Sequence, residues 1–125
     1  MPRPVTGARV LLVEDDLLAR ETLASILEFE GYSVATAGDG AEGLSPLHSS
    51  SRPRAVVLDL GLPVVNGREF LRQQKSDQTV ADIPVIVVTG SLLPKMPGAC
   101  AVLPKPLDVS KLIGLLREHC AAGGC

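Results

Sequence analysis

Three short and almost wholly apolar runs constrain this chain more than any other feature: Val10–Val13 (VLLV), Ala55–Leu58 (AVVL) and Pro84–Val88 (PVIVV). Each has the length of a strand, is rich in β-branched residues and ends at polar or acidic positions. That pattern predicts strands covered on both faces rather than strands with one wet side. Strands of that kind belong in a parallel sheet with helices above and below it.

The segments between these runs supply the helices. Asp16 is placed to cap a helix over Leu17–Phe29, where Ala19, Leu23, Ile26 and Leu27 recur at helical spacing and Gly31 is the stop. Ser33–Ala37 reads as a second, more polar strand suited to a sheet edge. Gly40–His48 follows as a weak second helix, with Ala41, Leu44 and Leu47 inward and Pro46 a source of distortion. After the polar loop Ser49–Pro53 and the third strand, Gly67–Ser76 reads as a helix with Phe70 and Leu71 inward. Cys100–Leu103 is the fifth strand, and Asp108 caps a last helix running to about His119. Strict alternation asks for a further helix in Gly90–Ala99, but Pro94 and Pro97 interrupt it, so that helix is expected to be shortened or missing. The expectation is one α/β domain over residues 1–125, with a core of about 8–119 and frayed termini, built as a doubly wound five-stranded parallel sheet.

Composition removes whole classes of function. A net charge of −2 and 2% aromatic residues offer neither the basic surface nor the stacking platforms of a nucleic-acid binder. No apolar run approaches the length of a membrane span and Met1–Ala8 lacks the apolar core of a signal peptide, so no membrane association and a cytoplasmic location are expected. The three cysteines, Cys100, Cys120 and Cys125, lack metal-ligand spacing and are expected to be a buried thiol and two free tail thiols. His48 and His119 complete no ligand set and are expected at exposed helix ends.

In parallel α/β sheets, ligands sit beyond the carboxyl ends of the strands, so the residues leaving each strand carry the chemistry. Strand one ends in Glu14, Asp15 and Asp16, strand three in Asp59, strand four in Thr89, and strand five runs through Pro104 into Lys105. Several carboxylates with one hydroxyl and one ammonium on a single rim call for a cation to offset the negative charge. Oxygen donors of this kind suit Mg²⁺ rather than zinc. Acids at the start of a helix are also favoured by its dipole, which would account for Glu14–Asp16 alone. It does not account for a carboxylate, a threonine and a lysine on the other strand ends.

The ordered set Val13-Glu14-Asp15-Asp16, Leu58-Asp59-Leu60-Gly61-Leu62-Pro63 with Gly67, Val88-Thr89-Gly90 and Lys105-Pro106 resembles the receiver domain of two-component response regulators, over about Ala8 to His119. The resemblance implies a flavodoxin-like sheet with strand order 2-1-3-4-5. It implies that Asp59 accepts a phosphoryl group, with Thr89 and Lys105 as its catalytic companions. It also implies Mg²⁺ held by Glu14, Asp15, Asp59 and the backbone carbonyl of Gly61, with Asp16 left to cap its helix. The implied partner is a histidine kinase or a histidine phosphotransfer protein, and the chain would act as an enzyme only on its own phosphorylation and dephosphorylation. Gly61 and Ser91 fall where side chains of the family tune the attacking water, while Leu62, Pro63 and Gly67 are expected to shape the acceptor loop and the turn after it.

Two features depart from the family pattern. The stretch from Thr89 to Lys105 is about six residues short, equivalent to about 9 Å of helix. Val102 stands where the family carries a switching Tyr or Phe. Both fall on the face that usually transmits activation, so a receiver-like interaction module that signals without phosphorylation is the alternative. Two enzyme readings fit less well. Gly38-Asp39-Gly40-Ala41-Glu42-Gly43 matches the G-x-G-x-x-G dinucleotide fingerprint, with Asp59 21 residues beyond Gly38, but it follows the edge strand and leaves the acidic rim without a role. An aspartate-nucleophile phosphatase needs an acid two residues beyond Asp59, where this chain has Gly61.

Overall fold

The computed structural model describes residues 8–48, 52–60, 65–90 and 96–122. The strands are β1 (Arg9–Val13), β2 (Ser33–Ala37), β3 (Ala55–Leu60), β4 (Val85–Thr89) and β5 (Ala101–Pro104). The helices are α1 (Leu17–Phe29), α2 (Gly40–Leu47), α3 (Val65–Ser76) and α4 (Val109–Ala122). All strand pairs are parallel and the sheet order is β2-β1-β3-β4-β5, with the polar strand β2 at one edge as its composition requires.

The alternation of side chains along each buried strand feeds two cores. Val10, Leu12, Val57, Ile86 and Val88 face α1 and α4, where they meet Leu23, Leu27, Leu112 and Leu116. Leu11, Val13, Val56, Leu58, Val85 and Val87 face the other side and meet Leu47 of α2 and Phe70 and Leu71 of α3. Each such aliphatic side chain, fully removed from water, contributes about 1.5–3 kcal/mol before entropy is counted. Asp16 and Asp108 cap their helices as the sequence indicates, and Asp39 caps α2 as well. Asp16 Oδ2 accepts from the Ala19 amide at 2.8 Å, Asp39 Oδ1 from the Glu42 amide at 2.8 Å and Asp108 Oδ1 from the Lys111 amide at 3.2 Å. α1 ends in a Schellman arrangement, with Gly31 at φ 102°, its amide donating to Glu28 and the Tyr32 amide donating to Leu27.

Several expectations are corrected. β3 continues past Leu58 through Asp59, and Gly67 lies inside α3 rather than in a turn before it. α2 continues through Pro46, and its buried face is Gly40, Gly43 and Leu47, with Ala41 exposed. Ala19 of α1 is exposed too, so that helix buries Leu23 and Leu27. Cys120 is free, but it is 1% exposed inside the core rather than in a tail, because α4 extends beyond His119. Cys100 is half-buried and disulfide-bonded, not a buried thiol, and Cys125 lies outside the described residues. His119 is half-buried. The loop tip at 49–51 also lies outside the described residues.

The link between β4 and β5 is the main departure from regular alternation. Among the described residues no helix occupies it. Met96–Ala99 instead forms a tight turn, closed by the Ala99 amide donating to the Met96 carbonyl at 3.0 Å, with Gly98 at φ 94°. Pro97 and Gly98 are the two central residues of this turn, the pairing that a type II turn requires. Met96, with Ala99 and Val102 packed beside it, joins the core on the α3 side of the sheet.

Candidate functional site

Register brings the strand-end residues to one rim. Val13 pairs with Ala37 on one side and Leu58 on the other, so Glu14 emerges beside Asp59. Thr89 pairs with Leu60 and Pro104, and the Lys105 amide donates to the Thr89 carbonyl at 2.9 Å. Lys105 Nζ then reaches Asp59 Oδ1 at 2.7 Å. The Lys105–Pro106 peptide is cis. Glu14, Asp59, Thr89 and Lys105 thus meet at the carboxyl ends of β1, β3, β4 and β5, with Asp15 exposed beside them. Asp16 is turned to its own helix as a cap. The Gly61 carbonyl, Leu62, Pro63 and Ser91 lie outside the described residues.

The rim is electrostatically loaded. Glu14 is 4% exposed, and its carboxyl is pushed up to about 8, first by burial and then by the neighbouring Asp59 and Asp15. The Asp16 amide donates to Glu14 Oε2 at 3.2 Å and partly offsets this. Lys105 is held above the ordinary lysine value by Asp59 in spite of its own partial burial. The Asp59 side chain is 9% exposed, and its buried Oδ1 meets the ammonium as an ion pair without hydrogen-bond alignment. One lysine therefore faces three carboxyl groups, and a buried acceptor oxygen is left short of a donor. Such a rim has an unmet demand for positive charge. Among the described residues no group of three or more acid, His or Cys side chains is arranged to hold a metal ion.

The glycine motif Gly38–Gly43 has a packing explanation instead of a nucleotide one. A Cβ on Gly43 would meet Val13 Cγ2 at 3.0 Å and Phe70 Cε2 at 3.1 Å, so this glycine lets α2 approach β1 and α3. Asp59 is paired with Lys105 rather than aimed at this loop. The sequence reading also passed over three supporting residues. Arg20 Nη1 donates to the Glu14 carbonyl at 2.8 Å and so holds the segment that carries the first acids. Gln74 is fully buried, and its Nε2 donates to the carbonyls of Val80 and Ile83 at 2.8 and 3.0 Å, fixing the entry to β4. His48 is exposed as expected but not idle, with Nε2 2.6 Å from Asp77 Oδ2. Arg20 one helical turn beyond Asp16 was a visible signal. Gln74 and His48 carried none, because their partners are set by the tertiary fold.

The model of the response regulator receiver domain matches residues 10–117. The chain is a member of that family. The receiver is 42% identical over 115 residues to response regulator MprA of Mycolicibacterium vanbaalenii, covering 87% of this chain and 48% of that protein. It is 40% identical over 117 residues to MprA of Mycobacterium bovis, covering 89% and 50%. It therefore spans about half the length of the curated relatives it matches. Among solved structures, chemotaxis response regulator CheY4 of Vibrio cholerae superposes with a TM-score of 0.78 at 28% identity, covering 90% of this chain and 98% of that one. The receiver domain of sensor histidine kinase PA1611 from Pseudomonas aeruginosa, which has magnesium coordinated in its active-site cleft, superposes with a TM-score of 0.81 at 25% identity, covering 93% and 99%. No helix among the described residues is long and apolar enough to cross a membrane.

The receiver keeps the rim and changes the face beside it. Val102 is half-buried and packs into the core lined by Val87 and Met96. An aliphatic side chain has no ring to swing between a buried and an exposed position. The fourth helix expected by strict alternation is absent from the described part of the β4–β5 link, as the two prolines in that stretch suggested.

Proposed function

We propose that this receiver is a phosphorylation-dependent switch in which Asp59 accepts a phosphoryl group from a phosphohistidine on a histidine kinase or histidine phosphotransfer protein. A carboxylate oxygen of Asp59 attacks phosphorus, the new P–O bond forms as the P–N bond breaks, and the electron pair leaves with the imidazole, which takes up a proton. The observation that carries this reading is the Asp59–Lys105 pair at 2.7 Å on a rim shared with Glu14 and Thr89. Lys105 supplies fixed positive charge where the phosphoryl oxygens would gather. Thr89, buried at the end of β4, is the nearby hydroxyl able to donate to the modified Asp59.

The donor set fits a divalent cation. Asp59, with its buried under-satisfied oxygen, and Asp15 would bind Mg²⁺ directly, and Glu14 would hold it mainly through water, together with the backbone carbonyl of Gly61. When bound, Mg²⁺ offsets the charge of the phosphoryl oxygens as it is transferred. The chain would catalyse only its own phosphorylation and its own return to carboxylate by water. A kinase partner of this type implies a cytoplasmic location.

The phosphoryl-aspartate adds about −1.5 to −2 charge at a site with one lysine and one buried hydroxyl, enough to draw the 89–90 and 105–106 segments toward it. Incubation with acetyl phosphate and Mg²⁺ should add one phosphoryl mass to the wild type and none to Asp59→Asn. No mass gain in the wild type would favour the alternative of an interaction module that signals without phosphorylation, which the aliphatic Val102 and the altered β4–β5 link support.

A further inference from the structure

The chain has three cysteines, Cys100, Cys120 and Cys125. Cys100 is disulfide-bonded and Cys120 is a free thiol, which leaves Cys125 as the one cysteine of the chain able to bond Cys100. Sequence distance alone favours the other pairing, since Cys120 stands five residues before Cys125. Burial explains why it is passed over. Cys120 is 1% exposed in the core that also holds Tyr32, and burial pushes its thiol up, so it offers little thiolate for exchange. Cys100 is half-buried at the mouth of the edge strand β5, where part of it faces solvent.

The amino-terminal edge of the sheet brings the entry of β5 and the end of α4 into one neighbourhood. The Cys100 amide donates to the Val85 carbonyl at 2.8 Å, beside the entry of β4. The last turns of α4 are fixed over the entry of β3. There Arg54 donates to the Cys120 carbonyl through Nε at 3.2 Å and Nη2 at 2.9 Å, while the Arg54 amide donates to the Arg9 carbonyl at 2.8 Å. β3 and β5 are two strand spacings apart, about 10 Å. The three residues from Ala122, the last of α4, to Cys125 can span about 10 Å. Both cores are filled without Cys100, so the fold does not need the staple that small secreted domains rely on.

We infer that Cys100 and Cys125 form a thiol–disulfide switch that ties the segment after α4 to the entry of β5. A dithiol reductant opens it. One reductant thiolate attacks a sulfur of the pair, the S–S bond breaks, and the released protein thiolate takes up a proton. The second reductant thiolate then displaces the other protein sulfur, which is protonated in turn as the reductant closes to a cyclic disulfide. A low-molecular-weight disulfide such as oxidised glutathione closes the switch again and leaves as two thiols. The closed bond joins the ends of a loop of about 26 residues and removes freedom from the unfolded chain, so the oxidised form is the more stable one. The inference stands apart from phosphorylation, since Cys100 precedes β5 and Lys105 follows it at the opposite edge of the sheet.

The test uses the intact chain, exposed to oxidised glutathione, then unfolded in guanidinium and alkylated with iodoacetamide with or without prior dithiothreitol. The oxidised wild type should take one alkyl group, on Cys120, and should take three after reduction. A tryptic digest of the oxidised form should join peptide 96–111 to peptide 118–125. Excess reduced glutathione should open the bond in the folded protein, and oxidised glutathione should restore it. Reduction should lower the thermal midpoint of the wild type by about 5–15 °C and that of Cys125→Ser by less than about 1 °C. Three alkylated thiols without reductant overturn the proposal. So does a bond to Cys120, a dimer linked between chains, a stable mixed disulfide with glutathione, a bond that excess reduced glutathione leaves intact, or an equal fall of the midpoint in Cys125→Ser.

Discussion

Gly43→Ala tests how closely α2 is pressed onto the strand that delivers Glu14. Replacing a glycine in a helix interior by alanine normally stabilises by about 1 kcal/mol, because the unfolded chain loses freedom. Gly114, exposed in the interior of α4, has nothing within 4 Å of an added Cβ, so Gly114→Ala should show that gain undiluted. At Gly43 the same methyl would sit 3.0 Å from Val13 Cγ2 and 3.1 Å from Phe70 Cε2. Val13 and Phe70 are 3% and 1% exposed and cannot swing into solvent. Overpacking at such a place costs about 1–3 kcal/mol. The propensity gain is common to both variants and cancels in their difference, so Gly43→Ala should be less stable than Gly114→Ala by about 1–3 kcal/mol. Urea unfolding followed by far-ultraviolet circular dichroism measures it, with equal m-values showing that the surface exposed on unfolding is the same in both variants. If the two variants agree within about 0.5 kcal/mol, α2 is not seated as tightly as this packing requires. A titration of either protein with a nicotinamide dinucleotide should leave the midpoint unmoved.

Gln74→Leu leaves the Val80 and Ile83 carbonyls without their buried donor, at about 1–3 kcal/mol each, and should lower stability while speeding amide exchange around 80–85; unchanged exchange there would refute it. The His48–Asp77 pair has a defined pH window: Asp77 lifts His48 above its ordinary 6.5, while Thr79 and His48 hold Asp77 down at about 2. Its stabilisation is therefore fully present from about 3.8 to 6.5, fades as pH rises through the raised His48 value, and fades again as pH falls through that of Asp77. An NMR titration should give a His48 midpoint above 6.5 that drops in Asp77→Asn, and an unchanged midpoint would remove the pair. Mg²⁺ should raise the thermal midpoint of the wild type, chelation should reverse the rise, and Asp15→Asn should lose most of it; an equal rise in both proteins would place the cation elsewhere.

Much of the fold was legible because burial on two faces leaves a plain mark: Val10–Val13, Ala55–Leu58 and Val85–Val88 have almost no polar positions to misplace. The caps Asp16 and Asp108 mark helix starts, because a short acceptor side chain satisfies amides that have no partner within the helix. The strand ends were legible for the same reason, as polar residues begin where the sheet stops. Boundaries were less so. β3 runs on through Asp59 because β4 offers it partners as far as Thr89, a fact of register. Pro97-Gly98 stood in the sequence as a turn signal, but the prolines around it were read only as helix breakers.

The sequence alone determined that the chain makes a parallel sheet and presents acids, a threonine and a lysine at its carboxyl edge, because hydrophobic patterning is local and period-dependent. Only the tertiary structure decided that Lys105 lies on Asp59, that Glu14 is buried enough to resist ionisation, and that Cys120 is core. Those outcomes depend on distances between segments far apart in the chain, which local propensity does not contain.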